Sequence, residues 1–261
     1  MEIDLNADLG ESPEALANGA DVELMRYVTS ANVACGGHAG DENTMRQTVA
    51  ACKELGVAVG AHPSYPDREN FGRLESPWPA GQLENSVREQ IASLAAVAKR
   101  LGVRLVHVKP HGALYHACSK NRDIGLAVGR AVQAIGPQLI MVGQAGARAL
   151  EIWREMGLRV AAEAFADRTY ERDGTLRKRT LPGALVRTPE SAAQQALHIA
   201  LDHNVIAGDG STLPLVAETI CMHSDTPGAA AIARAVNEKL KAAGVRVQAL
   251  SIGQKSTAGL S

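Results

Sequence analysis

The sequence predicts an α/β protein whose strands close into a single β/α barrel. Two observations predict it. Short β-branched runs alternate with longer segments of helical periodicity along nearly all of the 261 residues, the rhythm of a parallel sheet covered by helices. Seven or eight such units follow one another with no dinucleotide-binding glycine fingerprint, which favours a closed barrel over an open doubly wound sheet.

The elements follow in order. Ile3–Leu9 alternates apolar and polar residues and reads as the first strand. A helix over Asp21–Val28 leads to a second strand, Ser30–Cys35. Asp41 is a fitting N-cap for the helix Asp41–Leu55, in which Met45, Val49, Cys52 and Leu55 recur at spacings of three and four. Val57–Ala61 is the third strand. Leu83, Val87, Ile91, Leu94, Ala98 and Leu101 form one apolar stripe along the helix Ala80–Leu101. Strands Leu105–Lys109, Gln138–Gly143 and Arg159–Phe165 are separated by helices Arg122–Ile135 and Ala145–Met156. Gly56, Gly102, Gly157 and Gly244 each follow a helix and precede a strand start, as helix-terminating glycines do. The stretch Phe165–Val186 breaks the rhythm. With Asp173-Gly174 as a hairpin-turn signal, it reads as a long excursion over one mouth of the barrel. Helix Pro189–His203, strand Glu218–His223 and helix Pro227–Ala243 complete the pattern, and Val245–Leu250 is a candidate eighth strand. One domain thus spans residues 1–252, and Gly253–Ser261 is expected to be a frayed tail.

Composition narrows the class of function. Lys plus Arg number 27 and Asp plus Glu 28, so there is no basic excess to hold nucleic acid or an anionic membrane. No apolar run approaches the ~20 residues of a membrane span, and MEIDLNADLGE does not read as a secretory signal. Cys35, Cys52, Cys118 and Cys221 are scattered without a CxxC pair, so neither a disulfide framework nor a zinc ribbon is expected. These features point to a soluble cytoplasmic enzyme. Eight histidines match the eight Phe, Tyr and Trp residues together, so the core must be aliphatic while imidazole is plentiful.

Strand periodicity places those polar groups. Ile3, Leu5, Ala7 and Leu9 share one face of the first strand, and Asp4, Asn6 and Asp8 share the other. Ser30 and Asn32, His107 and Lys109, Glu163, and Cys221 and His223 repeat the arrangement in later strands. Helices cover the outside of a barrel, so these residues point into its lumen, where unpaired charges would cost several kcal/mol each. A polar catalytic lumen is the better account than an amphipathic sheet with a wet face. Further polar clusters fall at the strand C-termini, where β/α barrels carry their sites: Asn6 to Asp8, His38, His62, Lys109 to His111, Asp167-Arg168 and His223 to Asp225.

Single motifs are weaker. His107-x-x-x-His111 has metal-site spacing, but Pro110 argues against a helix there. A carboxylate with two histidines, such as Asp8, His38 and His62, suits a divalent metal or a metal-free proton-transfer site equally in residue type. Lys109 fits either neutralising Asp4 or Glu163 or stabilising a developing oxyanion. Cys35 and Cys221 read as buried small residues, and His198 and His203 as ordinary helix residues; His116 stays open. No phosphate-binding P-loop is present, and Gly143-x-x-Gly146 before a helix is only a hint of one anion site.

The runs DLNADLGES, TSANVACGGHAGD, VGAHPSYPD with FGR, HVKPHGALY, FADRTYERDGTL with PGA, and MHSDTPGA extend from Asp4 to Ala229. As a set they resemble the LamB/YcsF family. The resemblance implies a distorted, seven-stranded barrel of the glycoside hydrolase/deacetylase type. It also implies ATP-dependent cleavage of 5-oxo-L-proline to L-glutamate alongside partner subunits B and C, with ATP held by this chain or by a partner. Gly37 stands where the family usually has Phe, Ser64 where Gly is common, and Ser224 where Gly precedes the Asp; Glu69-Asn70 replaces the usual residues before FGR. These departures bear on the choice of substrate. In the mechanism that joins the resemblance to the residues, Asp8 or His62 activates water. Lys109 and His111 stabilise the oxyanion or phosphoryl oxygens, Arg168 grips the substrate carboxylate, and Asn6 and Asn32 orient the lactam. His38, Asp167, His223 and Asp225 complete the substrate-binding set. Two rival readings are a metal-dependent deacetylase or amidohydrolase, and a non-catalytic subunit that presents substrate to its partners.

Overall fold

Seven parallel strands close on themselves around a polar centre. The computed structural model describes residues 1–226 and 228–252. In chain order the elements are β1 (Glu2–Leu9), α1 (Pro13–Ala17), α2 (Ala20–Met25), β2 (Ser30–Ala34), α3 (Glu42–Leu55), β3 (Ala58–His62), α4 (Ala80–Arg100), β4 (Leu105–Val108), α5 (Gly112–Lys120), α6 (Arg122–Ile135), β5 (Ile140–Gln144) and α7 (Arg148–Glu155). They continue with β6 (Arg159–Phe165), α8 (Pro189–Leu197), β7 (Asn204–Ile206), β8 (Thr212–Pro214), β9 (Thr219–His223), α9 (Ala229–Ala242) and β10 (Arg246–Val247). The barrel order is β1-β2-β3-β4-β5-β6-β9, and β9 pairs back onto β1.

The split of each strand into two faces is what holds the barrel together. Leu5, Ala7, Leu9, Ala31, Val33, Val59, Ala61, Ile220 and Met222 are buried beneath the helices. There they join Val49 and Cys52 of α3, Leu83, Val87, Ile91 and Leu94 of α4, and Trp153 of α7 in one apolar cluster. Burying each large aliphatic side chain contributes on the order of 1.5–3 kcal/mol. Register aligns the opposite face: Asp8 lies beside Asn32 and His223, Asn6 beside Cys221, and Asn32 beside Gly60. Gly60 matters because a Cβ there would sit 2.1 Å from His107 Nε2; its missing side chain admits the imidazole to the lumen.

Several boundaries differ from expectation for local reasons. Asp41 does cap α3, with a capping box formed by Thr44. The residues Val245–Leu250 supply only the two-residue β10, which pairs with Glu2 and Ile3 and adds no stave to the closed ring. The helix α5 has no counterpart in the sequence pattern. It starts directly after Pro110-His111 and runs for nine residues in which only His116 and Lys120 are exposed, too short a stretch to set out a helical period. The helix expected through His203 ends at Leu197; a π-helical turn follows over His198–Asp202, and His203 at φ 52 redirects the chain into the unanticipated β7–β8 hairpin. The excursion after β6 forms isolated bridges Arg168↔Leu185 and Tyr170↔Leu176, and Asp173 holds its turn by accepting from the Thr175 N–H at 2.9 Å. Among the described residues no helix is long and apolar enough to cross a membrane. The expected tail Gly253–Ser261 and the expected helix start at Pro227 lie outside the described residues.

Candidate active site

The lumen is built in layers. At its base Asp4 accepts hydrogen bonds from Ser30 (2.6 Å), Thr29 (2.7 Å) and Thr219 (2.5 Å). Burial raises its carboxyl pKa against these three donors. Above it the Asn6 amide donates to Glu163 (3.0 Å) and Thr219 (2.7 Å), while its oxygen accepts from Asn32 at 2.7 Å. Asn32 also donates to Asp8 Oδ1 at 2.8 Å, and its oxygen lies 2.7 Å from His107 Nε2. Tyr115 from α5 donates to Glu163 at 2.7 Å.

Lys109 closes this network. Its ammonium lies 2.8 Å from Glu163 Oε1, 3.1 Å from Asp8 Oδ1 and 3.1 Å from Cys221 Sγ. All of these side chains are buried, so two carboxylates share one ammonium in a poorly solvated lumen. Burial disfavours the ammonium, but Asp8, Cys221 and Glu163 outweigh it and push the Lys109 pKa well above its usual value. Burial likewise opposes ionisation of Asp8, yet His62 and Lys109 hold its carboxyl well below the usual range. Asp8 is therefore an anion and Lys109 a cation at neutral pH. Asp8 Oδ2 faces His62 Nε2 at 3.4 Å, and that imidazole is one of the groups holding the Asp8 carboxyl down.

A second cluster adjoins the first. His62 Nδ1 lies 2.7 Å from the Lys109 carbonyl, and His62 Nε2 lies 3.0 Å from His111 Nδ1. His111 Nε2 lies 2.9 Å from the Phe71 carbonyl. Glu11 Oε1 stands 2.8 Å from His38 Nε2, 3.3 Å from His111 Nδ1 and 4.0 Å from His62 Nε2. His38 stacks on His111 with ring centroids 3.6 Å apart, and burial lowers its pKa to about 4. On the far side of the lumen Asp167 accepts from the His223 backbone N–H (2.9 Å) and Thr226 (3.1 Å), with the His223 ring 3.0 Å away.

These groups surround a cavity of about 430 Å³ at the C-terminal mouth of the barrel. Of the residues singled out from sequence, Asp8, His62, Lys109, His111, Arg168, His223 and Asp225 line it. Asn6, Asn32, His38 and Asp167 do not; they are buried behind the lining. The hydrogen bonds just given engage both the amide nitrogen and the oxygen of Asn6 and Asn32, so these residues brace Asp8 and Lys109 in place of orienting a lactam. The oxyanion role expected of His111 meets a different obstacle: its N–H is committed to the Phe71 carbonyl, and the nitrogen turned inward faces His62. Asp225 is tied at the rim to Arg73 (2.7 Å) and Arg179 (2.9 Å). Arg168 donates to the Arg177 carbonyl at 2.7 Å, and its Nε is buried without a partner, a donor available to an anionic ligand.

Sequence reading passes over Glu11, Tyr115 and the rim arginines. Glu11 lies three residues beyond Asp8, past the left-handed Gly10, whose N–H donates to Asp21 at 3.0 Å. The strand-end rule that picks out His38 would also pick out Glu11. Cys35 and Cys221 are both buried thiols; burial pushes Cys35 up to about 12 and Cys221 well above its usual value, which rules out a resting thiolate. His198 is a half-buried residue beside Asp202 on the outside of the barrel, and His116 sits exposed at the cavity edge. The amides of Ala145 within the Gly143-x-x-Gly146 segment and of Ala147 just beyond it donate within the protein, so these two form no anion cradle. Gly37 and Ser64 meet each other and Gln90 away from the cavity, whereas Ser224 lines it. Of those three departures, only Ser224 touches the pocket.

The family model described as the LamB/YcsF family matches residues 3–255. A protein from Chloroflexus aggregans, named as the A subunit of 5-oxoprolinase, is 52% identical over 248 residues, covering 95% of this chain and 98% of that protein. Its namesake from Chloroflexus aurantiacus is 51% identical over 249 residues, covering 95% and 98%. The crystal structure of a lactam utilization protein from Thermus thermophilus superposes with a TM-score of 0.89 at 44% identity, covering 95% of this chain and 100% of that one.

Proposed function

The chain belongs to the LamB/YcsF family, and from that membership we propose that it acts in the ATP-dependent cleavage of 5-oxo-L-proline to L-glutamate with partner subunits B and C. The observation that carries the reading is the cavity itself. In a chain 52% identical to a 5-oxoprolinase component, an ionised carboxylate, a buried ammonium and a spare guanidinium donor converge on one space of about 430 Å³. A five-membered lactam bearing one carboxylate matches that set of charges.

The chemistry follows from the substrate. A lactam is a poor electrophile, and transfer of the ATP γ-phosphoryl group to its oxygen makes the ring carbon electrophilic. Water then adds to that carbon, and the C–N bond breaks to release the amine. A second water hydrolyses the resulting acyl phosphate, giving glutamate and inorganic phosphate. Asp8, whose Oδ2 faces His62 Nε2 at 3.4 Å and which lines the cavity, is the general base for the attacking water. Lys109 supplies the positive field beside it that favours negative charge developing on the lactam or phosphoryl oxygens. Arg168 Nε takes the substrate carboxylate. Asn6, Asn32 and Glu163 hold Asp8 and Lys109 in place.

Incubating the chain with partner subunits, ATP and 5-oxo-L-proline is expected to yield glutamate and ADP in equal amounts, with neither formed when the chain is omitted. No glutamate from the complete mixture, or equal glutamate without the chain, contradicts the proposal.

A further inference from the structure

We propose that Glu11, His62 and His111 form a binding site for one divalent metal ion of the zinc class, with its open side toward the cavity. The site goes beyond the proposed reaction and does not depend on it.

The two imidazoles carry the argument. A backbone carbonyl only accepts hydrogen bonds, so the 2.7 Å contact with the Lys109 carbonyl fixes the proton of neutral His62 on Nδ1 and leaves Nε2 bare. The 2.9 Å contact with the Phe71 carbonyl fixes the proton of neutral His111 on Nε2 and leaves Nδ1 bare. Those two bare nitrogens face each other at 3.0 Å. Two lone pairs at that distance repel, and a positive centre between them removes the conflict. A carbonyl on the outer ring nitrogen is also the usual partner of a metal-ligating histidine.

The third donor decides between a proton and a metal. Glu11 Oε1 lies 3.3 Å from His111 Nδ1 and 4.0 Å from His62 Nε2. The circle through the three atoms has a radius of about 2.0 Å, the length of a zinc–nitrogen or zinc–carboxylate bond. One ion can therefore meet all three, whereas a proton serves only one pair. Two nitrogens and one carboxylate oxygen, with a further position left to solvent, are the donor types of an open zinc site. All three residues line the cavity. His38 does not line it, and its ring lies parallel to His111 at 3.6 Å, so one ion cannot lie in both ring planes. Its Nε2 at 2.8 Å from Glu11 makes it a positioning residue that aims the carboxylate.

The test is direct metal binding to the purified full chain, independent of turnover. After chelation and dialysis, zinc added in slight excess and then desalted is expected to remain at about one ion per chain by elemental analysis. Substituted Co²⁺ is expected to show the intense visible absorption of a low-coordinate site. His62→Gln and Glu11→Gln are expected to weaken zinc binding by about 100-fold or more, and His38→Gln by about 10- to 100-fold. The surface variant His198→Gln is expected to bind as the parent does, and far-ultraviolet circular dichroism verifies the fold of each variant. No retained zinc in the parent, or equal retention by folded His62→Gln and Glu11→Gln, overturns the proposal and leaves the nitrogen pair sharing a proton.

Discussion

Replacing Lys109 with methionine is expected to destabilise the protein by about 3–5 kcal/mol, the range for breaking a buried ion pair on one side. Methionine keeps most of the volume and removes the charge. Glu163, which is fully buried, and Asp8 then share the lumen with no cation between them, and Cys221 loses the donor on its sulfur. The Tyr115 and Asn6 donors remain on Glu163 but cannot neutralise it. Urea unfolding at neutral pH measures the loss. The double variant Lys109→Met with Glu163→Gln is expected to recover part of it, because glutamine keeps an acceptor for Tyr115 and removes one of the two anions. A loss under about 1 kcal/mol for Lys109→Met alone would mean that the carboxylates are already neutral in the folded state.

Asp8→Ala is expected to behave in the opposite way, sparing the fold and removing the reaction. Lys109 keeps Glu163 as its partner at 2.8 Å, and the space vacated by the carboxylate opens onto the cavity, where water can enter. Loss of a positioned general base costs typically about 10²- to 10⁴-fold in rate, and glutamate formation by the reconstituted complex is expected to fall by that factor. Asp8→Asn sharpens the test. It preserves an acceptor for Asn32 and Lys109 while abolishing the charge, so it should fail almost as badly as Asp8→Ala. Near-normal turnover in Asp8→Asn would remove Asp8 as the base and leave it a structural partner of Lys109.

Much of this architecture is legible because strand periodicity is a local rule. Once Ile3, Leu5, Ala7 and Leu9 are set against helices, Asp4, Asn6 and Asp8 must point inward, and all three are buried there. The same reasoning brings His62, Lys109, His111 and His223 to one mouth. What stays hidden is pairing, which depends on residues far apart in sequence. Asn6 and Asn32 look like ligands for a small amide until Glu163, Thr219, Asp8 and His107 are seen to engage their amides. Asp225 looks like a pocket acid, but Arg73 and Arg179 arrive from other loops to hold it at the rim. Glu11 depends on a turn closed by Asp21 of α2, and α5, at nine residues, is too short to show a period. The facing nitrogens of His62 and His111 depend on two carbonyls that no spacing rule identifies.

The most direct measurement is a crystal structure of the chain soaked with 5-oxo-L-proline. The account predicts the ring inside the cavity at the C-terminal mouth, its carboxylate on Arg168 Nε and its lactam carbon within reach of a water held by Asp8 Oδ2. A ligand bound elsewhere on the chain, or bound in the cavity with its carboxylate turned away from Arg168 and its lactam away from Asp8, would contradict it.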